Sequence, residues 1–261
     1  MQNNLYRAIV GKDLKTVFSD RLIYLPFILV PIIFCLLLPA GIYIGTIFSN
    51  SMKEDFNSIP FPDINDTFTD KDKLVAFALG FMFPPLFLII PIMTASIIAG
   101  TGFVGEKENR TIESILYTNV TINQLFKAKI LSALVPSLSI TFVSFILFFI
   151  ANILGIYIVG SQYEFPYAKW IVLVLWLCPA VTLLAIFMMV LVSAKAKTFQ
   201  EAQQRTVFII LPIIFLILGQ VSGLFYLNSL IIFTIGLFIF ILNYFLFKKA
   251  VSSYTPEKLV A

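Results

Sequence analysis

The residues best placed for specific chemistry gather in one stretch, Gly105 to Lys129. Glu106, Glu108 and Glu113 bring three carboxylates together, interleaved with Lys107 and Arg110. Thr111 followed by Ile112, Ile115 and Leu116 predicts a short helix with one apolar face, and the polar residues ahead of it suit an N-terminal cap. Carboxylates on or beside a short amphipathic helix suit it to being gripped by a soluble partner. The alternative is an ordinary solvated loop, and the residue types by themselves leave both open.

Other chemistry is excluded or weakly supported. The chain has no His, so imidazole catalysis and imidazole metal ligation are ruled out. Cys35 and Cys178 both lie in long apolar runs, which argues against a structural disulfide. Six carboxylates crowd residues 49–73, namely Glu54, Asp55, Asp63, Asp66, Asp70 and Asp72, but not in the order that an EF-hand calcium loop requires. A solvated acidic loop is expected there. No G-x-x-x-x-G-K-[ST] phosphate loop is present, so the chain is not expected to cradle ATP phosphates.

The elements that must position the Gly105 to Lys129 stretch are membrane helices. Of 261 residues 59% are hydrophobic and 12% charged, with 28 Phe against 14 carboxylates, where a soluble domain carries about 25% charge. Crossing roughly 30 Å of hydrocarbon takes about 20 apolar helical residues. Runs of that kind predict an all-α integral membrane protein with spans at about 22–48, 74–104, 130–159 and 170–192, together with a block from Val207 to Phe247 about twice the needed length. Gly219, Gln220, Ser222, Gly223, Asn228 and Ser229 mark a turn in that block. It splits into spans at 207–224 and 228–247, making six.

Loop charge supports the even number. With the N-terminus in the cytoplasm, the cytoplasmic segments hold Arg7, Lys12, Lys15, Arg21, Lys107, Arg110, Lys127, Lys129, Lys195, Lys197, Arg205, Lys248, Lys249 and Lys258, and the outer loops only Lys53, Lys71, Lys73 and Lys169. Both termini are therefore expected inside, with residues 248–261 as a cytoplasmic tail. The net charge of +4 follows from this bias, and nucleic acid is not an expected partner. Residues 1–21 predict an amphipathic interfacial helix, with Tyr6, Val10, Leu14, Val17 and Phe18 on one face and Lys12, Lys15, Thr16 and Ser19 on the other. The first span begins too late and runs too long for a cleaved signal peptide, and is expected to stay in the mature protein.

All charged residues fall in the expected loops and tails, so the spans offer no ionisable group for ion coupling or intramembrane catalysis. Pro26, Pro31, Pro39, Pro84, Pro85, Pro91, Pro136, Pro179 and Pro212 can kink the spans and open a cavity. Thr94, Ser96, Thr101, Gln220 and Asn228 are the polar residues available to line a pathway. Their competing role is hydrogen bonding to their own helix or a neighbour.

The Gly105 to Lys129 stretch resembles the signature of type-2 ABC transporter permeases, whose second and third spans are joined by a coupling helix in a pattern close to E-[RK]-E-x-x-T-[LI]-E-x-L-[LI]-x-T-P-[VI]. Glu106, Lys107, Glu108, Thr111, Ile112, Glu113, Leu116, Thr118 and Val120 match it. Asn119 stands where the family usually has Pro, and Ile115 where it usually has Leu. The amphipathic start, the proline-broken first span and the six-span topology extend the resemblance over nearly the whole chain.

The resemblance implies a non-catalytic permease subunit whose coupling helix docks on a separate cytoplasmic ABC ATPase dimer that carries ATP and Mg. No cofactor is expected in this chain. Glu106, Lys107, Glu108, Thr111, Ile112, Glu113, Leu116 and Thr118 would form the ATPase-coupling surface, and a second permease chain, identical or related, would complete the path. The apolar, Phe-rich interior suits export of an amphipathic or hydrophobic substrate such as a peptide, lipid-like molecule or drug. A bias toward Ile, Phe, Lys and Asn fits a bacterium with an A/T-rich genome, and the expected location is its plasma membrane. The competing reading is a regulatory or scaffolding membrane protein that binds a partner through residues 105–129 without transport.

Overall fold

The computed structural model describes residues 11, 19, 21–48, 68–105, 108, 122–193, 196, 198–206, 211–221 and 226–253. Among these, every regular element is helical. In chain order they are α1 (Tyr24–Phe48), α2 (Asp70–Gly105), α3 (Ile122–Val159), α4 (Tyr167–Ser193), α5 (Phe199–Thr206), α6 (Leu211–Val221) and α7 (Ser229–Ser253). Five of them, α1, α2, α3, α4 and α7, are long and apolar enough to cross a bilayer. The 11 residues of α6 rise about 16 Å, well short of the roughly 30 Å of a hydrocarbon core. Of the expected N-terminal interfacial helix Gly11, Ser19 and Arg21 are described, all three helical, with Gly11 and Ser19 exposed. The outer loop before Phe68 and the tail after Ser253 lie outside the described residues.

The bundle is organised around α2, whose apolar window is 78% buried against 28% for α1, 22% for α3 and 17% for α7. It packs on both α3 and α4, while α1 covers α3 and α7 covers α4. Packing, not composition, separates the phenylalanines. Phe83, Phe87 and Phe148 are buried around Trp170, with Phe148 and Trp170 ring centroids 4.5 Å apart. Phe48, Phe215, Phe238 and Phe245 face outward, as lipid-facing bulk would.

Small residues set the closest helix contacts, as expected where no water drives helices together. At Gly155 of α3 a Cβ would overlap the Tyr43 ring of α1. The absence of that carbon lets Tyr43 Oη reach the Asn152 Oδ1 acceptor at 3.1 Å, while Asn152 Nδ2 donates to Phe148 O at 2.7 Å. At Gly236 of α7 a Cβ would stand 2.5 Å from Trp176 of α4. The Trp176 ring stacks on Phe233 at 5.0 Å, its Nε1 donates to Phe233 O at 3.1 Å, and Asn243 Nδ2 donates to Ala180 O at 2.8 Å.

Proline leaves its mark as π-helical turns. Ile33–Leu37, Ala78–Met82 and Leu173–Leu177 each stand two residues ahead of a proline, Pro39, Pro84 and Pro179. A proline has no N–H for the carbonyl four residues earlier, and its ring crowds that carbonyl, so widening the turn relieves the clash. In α2 Phe83 N bonds to Ala78 O. Pro84 and Pro85 lack the N–H groups that would otherwise serve Gly80 O. Side chains from α4 supply replacements, with Lys169 Nζ donating to Gly80 O at 2.9 Å and Trp170 Nε1 to Leu79 O at 3.3 Å.

This corrects the expectation that every charge stays in solvated loops and tails. Lys169 is 5% exposed, contacts Tyr226 Oη, and holds its ammonium 4.0 Å from the Tyr226 ring centroid. Asp72, expected in the acidic loop, lies in the first turn of α2 and is 2% exposed. Its carboxylate accepts from Thr69 N at 3.0 Å, Ser161 Oγ at 2.7 Å and Gln162 N at 2.7 Å, and so joins the start of α2 to the α3–α4 connection. Lys129 is the third, at 1% exposed. In each case burial is tolerated because the charge meets backbone or hydroxyl groups that need a partner.

Candidate functional site

At its far end α2 finishes in another π-turn, Thr101–Gly105, from which the Gly105 to Lys129 stretch departs. The chain returns in α3, and Lys129 on its first turns donates to Gly102 O while its ammonium stands 5.3 Å from the Phe103 ring centroid. Phe103 also meets Phe126 of α3 at 6.1 Å. Departure and return of the stretch are thus fastened to each other. A backbone carbonyl of the π-turn accepts from a buried cation, which in a low-dielectric site is a strong fastening.

A second element, α5, lies at the same end. Its start carries a Thr198-x-x-Glu201 pattern, and Thr198 Oγ1 accepts from Glu201 N at 3.2 Å while Ala202 N donates to Thr198 O at 3.1 Å. The first helical N–H, that of Phe199, donates to Glu108 Oε2 at 2.9 Å. The Phe199 ring covers Gly100 of α2, where a Cβ would come within 2.7 Å of it, and Ala202 is fully buried. The Arg205–Glu201 pair on the same helix, 2.6 Å and exposed, adds little. In the sequence this helix falls in the cytoplasmic connection that holds Lys195, Lys197 and Arg205. The threonine three residues ahead of a glutamate was the signal available for this helix.

Of the expected coupling residues, Glu108 is described, helical and exposed. Glu106, Lys107, Thr111, Ile112, Glu113, Leu116 and Thr118 lie outside the described residues. The residues expected to line a pathway lie on α2, on α6 and just ahead of α7. Thr94 Oγ1 donates to Ile90 O at 2.9 Å and Thr101 Oγ1 to Ile98 O at 2.9 Å, the backbone role open to hydroxyls in membrane helices. Ser96 is 4% exposed and its hydroxyl has no partner. Gln220 of α6 is 1% exposed, and neither its Oε1 nor its Nε2 has a partner. Asn228 is exposed and caps α7, accepting from Ile231 N at 2.8 Å.

No curated protein and no solved structure matched the chain. The family model described as ABC-2 family transporter protein matches residues 7–257, which takes in every described helix and the whole Gly105 to Lys129 stretch. The chain therefore belongs to the ABC-2 transporter family and is a type-2 ABC transporter permease.

Proposed function

We propose that this permease is the membrane subunit of an ATP-driven exporter in a bacterial plasma membrane. It crosses the bilayer six times with both termini in the cytoplasm, pairs with a second permease chain, and is moved by a separate ABC ATPase dimer that holds ATP and Mg. Residues 105–129 are the coupling element. Glu106, Glu108 and Glu113 make polar contacts with the ATPase, Thr111 caps the coupling helix, and Ile112 and Leu116 seat it. The cargo is amphipathic or hydrophobic, a peptide, lipid-like molecule or drug, in keeping with buried α2 side chains that are apolar from Phe83 to Ile92.

One observation carries this reading. The stretch emerges directly from the most buried helix of the bundle, and Lys129 fastens its two ends to each other. A force applied to that stretch is delivered to α2, and through α2 to both helices packed on it, α3 and α4. ATP binding shifts the permease only if the coupling helix contacts differ in free energy between the two ATPase states, so its seat must be specific. Leu116→Ala and Glu113→Ala are expected to leave membrane insertion intact and to lower cargo-stimulated ATPase activity of the co-purified complex by tenfold or so, the order of a lost buried anchor. Wild-type stimulation in both variants would remove the coupling role from this segment.

A further inference from the structure

We propose that Glu108 is a positioning residue that joins the coupling stretch to α5, so that one movement of the stretch is delivered to α4 as well as to α2. This rests on the ATP-driven reading above. Two independent contacts support it. Phe199 N is the first amide of α5, a group with no partner inside its own helix, and Glu108 Oε2 accepts from it at 2.9 Å. A carboxylate at that position also meets the positive end of the helix dipole. Separately, the Phe199 ring sits on Gly100, and Met189 Cε stands within 3.2 Å of where a Gly100 Cβ would be, so α2, α4 and α5 meet at one point.

The geometry defines the division of labour. Phe199 and the fully buried Ala202 fix α5 against the bundle. Glu108 lies three residues beyond the end of α2, on the segment that the ATPase would move. Helix α5 is seated on α2, and Glu108 ties it to the coupling stretch. Through that tie, displacement of the stretch pulls on the N-terminus of α5, which packs on α4. The remaining carboxylate oxygen of Glu108 is left to face a partner.

The hydrogen bond requires an acceptor at residue 108 but not a charge, so Glu108→Gln preserves it and Glu108→Ala removes it. In the full-length permease in lipid nanodiscs, hydrogen–deuterium exchange of the Phe199 amide is expected to quicken about fivefold in E108A, the ratio for a lost helix cap, and to stay within twofold of wild type in E108Q. In the complex with its co-purifying ATPase, a bimane probe on Gln204→Cys, at an exposed site of α5, is expected to shift its emission on vanadate trapping in wild type and E108Q. That shift is lost in E108A, measured on the complexes that retain the ATPase. Unchanged exchange in E108A overturns the proposal, as does an equal probe shift in E108A and wild type. Equal losses in E108A and E108Q also overturn it, because the charge would then be what matters. If no ATPase accompanies the wild-type chain, the ATP-driven reading falls and this transmission falls with it, whatever the exchange shows.

Discussion

Tyr43 and Gly155 show how much a single atom decides in a bundle with no water to drive it together. The Tyr43 ring occupies the volume that a Gly155 side chain would fill, and its hydroxyl then completes a polar relay through Asn152 to Phe148 O. A methyl at residue 155 forces the ring outward and breaks that relay. Gly155→Ala is therefore expected to destabilise the detergent-solubilised protein by about 1–3 kcal/mol, the usual cost of overpacking, and Tyr43→Phe by about 1 kcal/mol, a single hydrogen bond. Thermal unfolding followed by circular dichroism checks both, and an unaffected Gly155→Ala would mean that α1 does not rest on α3 in this register. Neither residue stood out in the sequence, since a lone glycine and a lone tyrosine in apolar runs carry no pattern.

Helices α2 and α4 are coupled by a defect and its remedy. Pro84 and Pro85 strip donors from the π-turn Ala78–Met82, and Lys169 and Trp170 restore them from the start of α4. The prolines were legible in the sequence and predicted kinks. What they could not convey is that the kink would be answered by a buried lysine that charge counting assigned to an outer loop. Lys169→Met is expected to cost about 1–3 kcal/mol by leaving Gly80 O without that donor. Pro84→Ala returns an N–H to the turn, so Lys169→Met should cost at least roughly 0.5 kcal/mol less in that background. Strict additivity in a double-mutant cycle would show that the lysine serves something other than the proline-freed carbonyl.

At the scale of the whole molecule, five helices among the described residues are long and apolar enough to cross a membrane, and α6 with its neighbouring residues must supply the sixth crossing if both ends are to lie on one side. Both native cysteines are fully buried, so a thiol introduced elsewhere can be read without interference. A membrane-impermeant maleimide applied to intact cells is expected to label Lys53→Cys and to spare Lys248→Cys and Lys197→Cys, which react only after the membrane is opened. Labelling of residue 248 from the same side as residue 53 would leave an odd number of crossings. The same experiment reports which side carries the Gly105 to Lys129 stretch, on which the coupling role depends.

Composition and local pattern by themselves determined that the chain is helical and membrane-embedded, where most helices run, and that residues 105–129 carry a permease signature. Those properties are local, because twenty apolar residues in a row have no other way to satisfy their backbone away from water. Tertiary structure alone decided which donors serve the carbonyls of the π-turns and where Glu108 goes. Lys169 reaches Gly80 across 89 positions, and Glu108 reaches Phe199 across 91. Partners that distant are brought together by helix packing, and no periodicity or spacing along one segment encodes them. The buried charges follow the same logic, since whether a lysine at the end of a span meets water or a freed carbonyl is settled by the neighbouring helix.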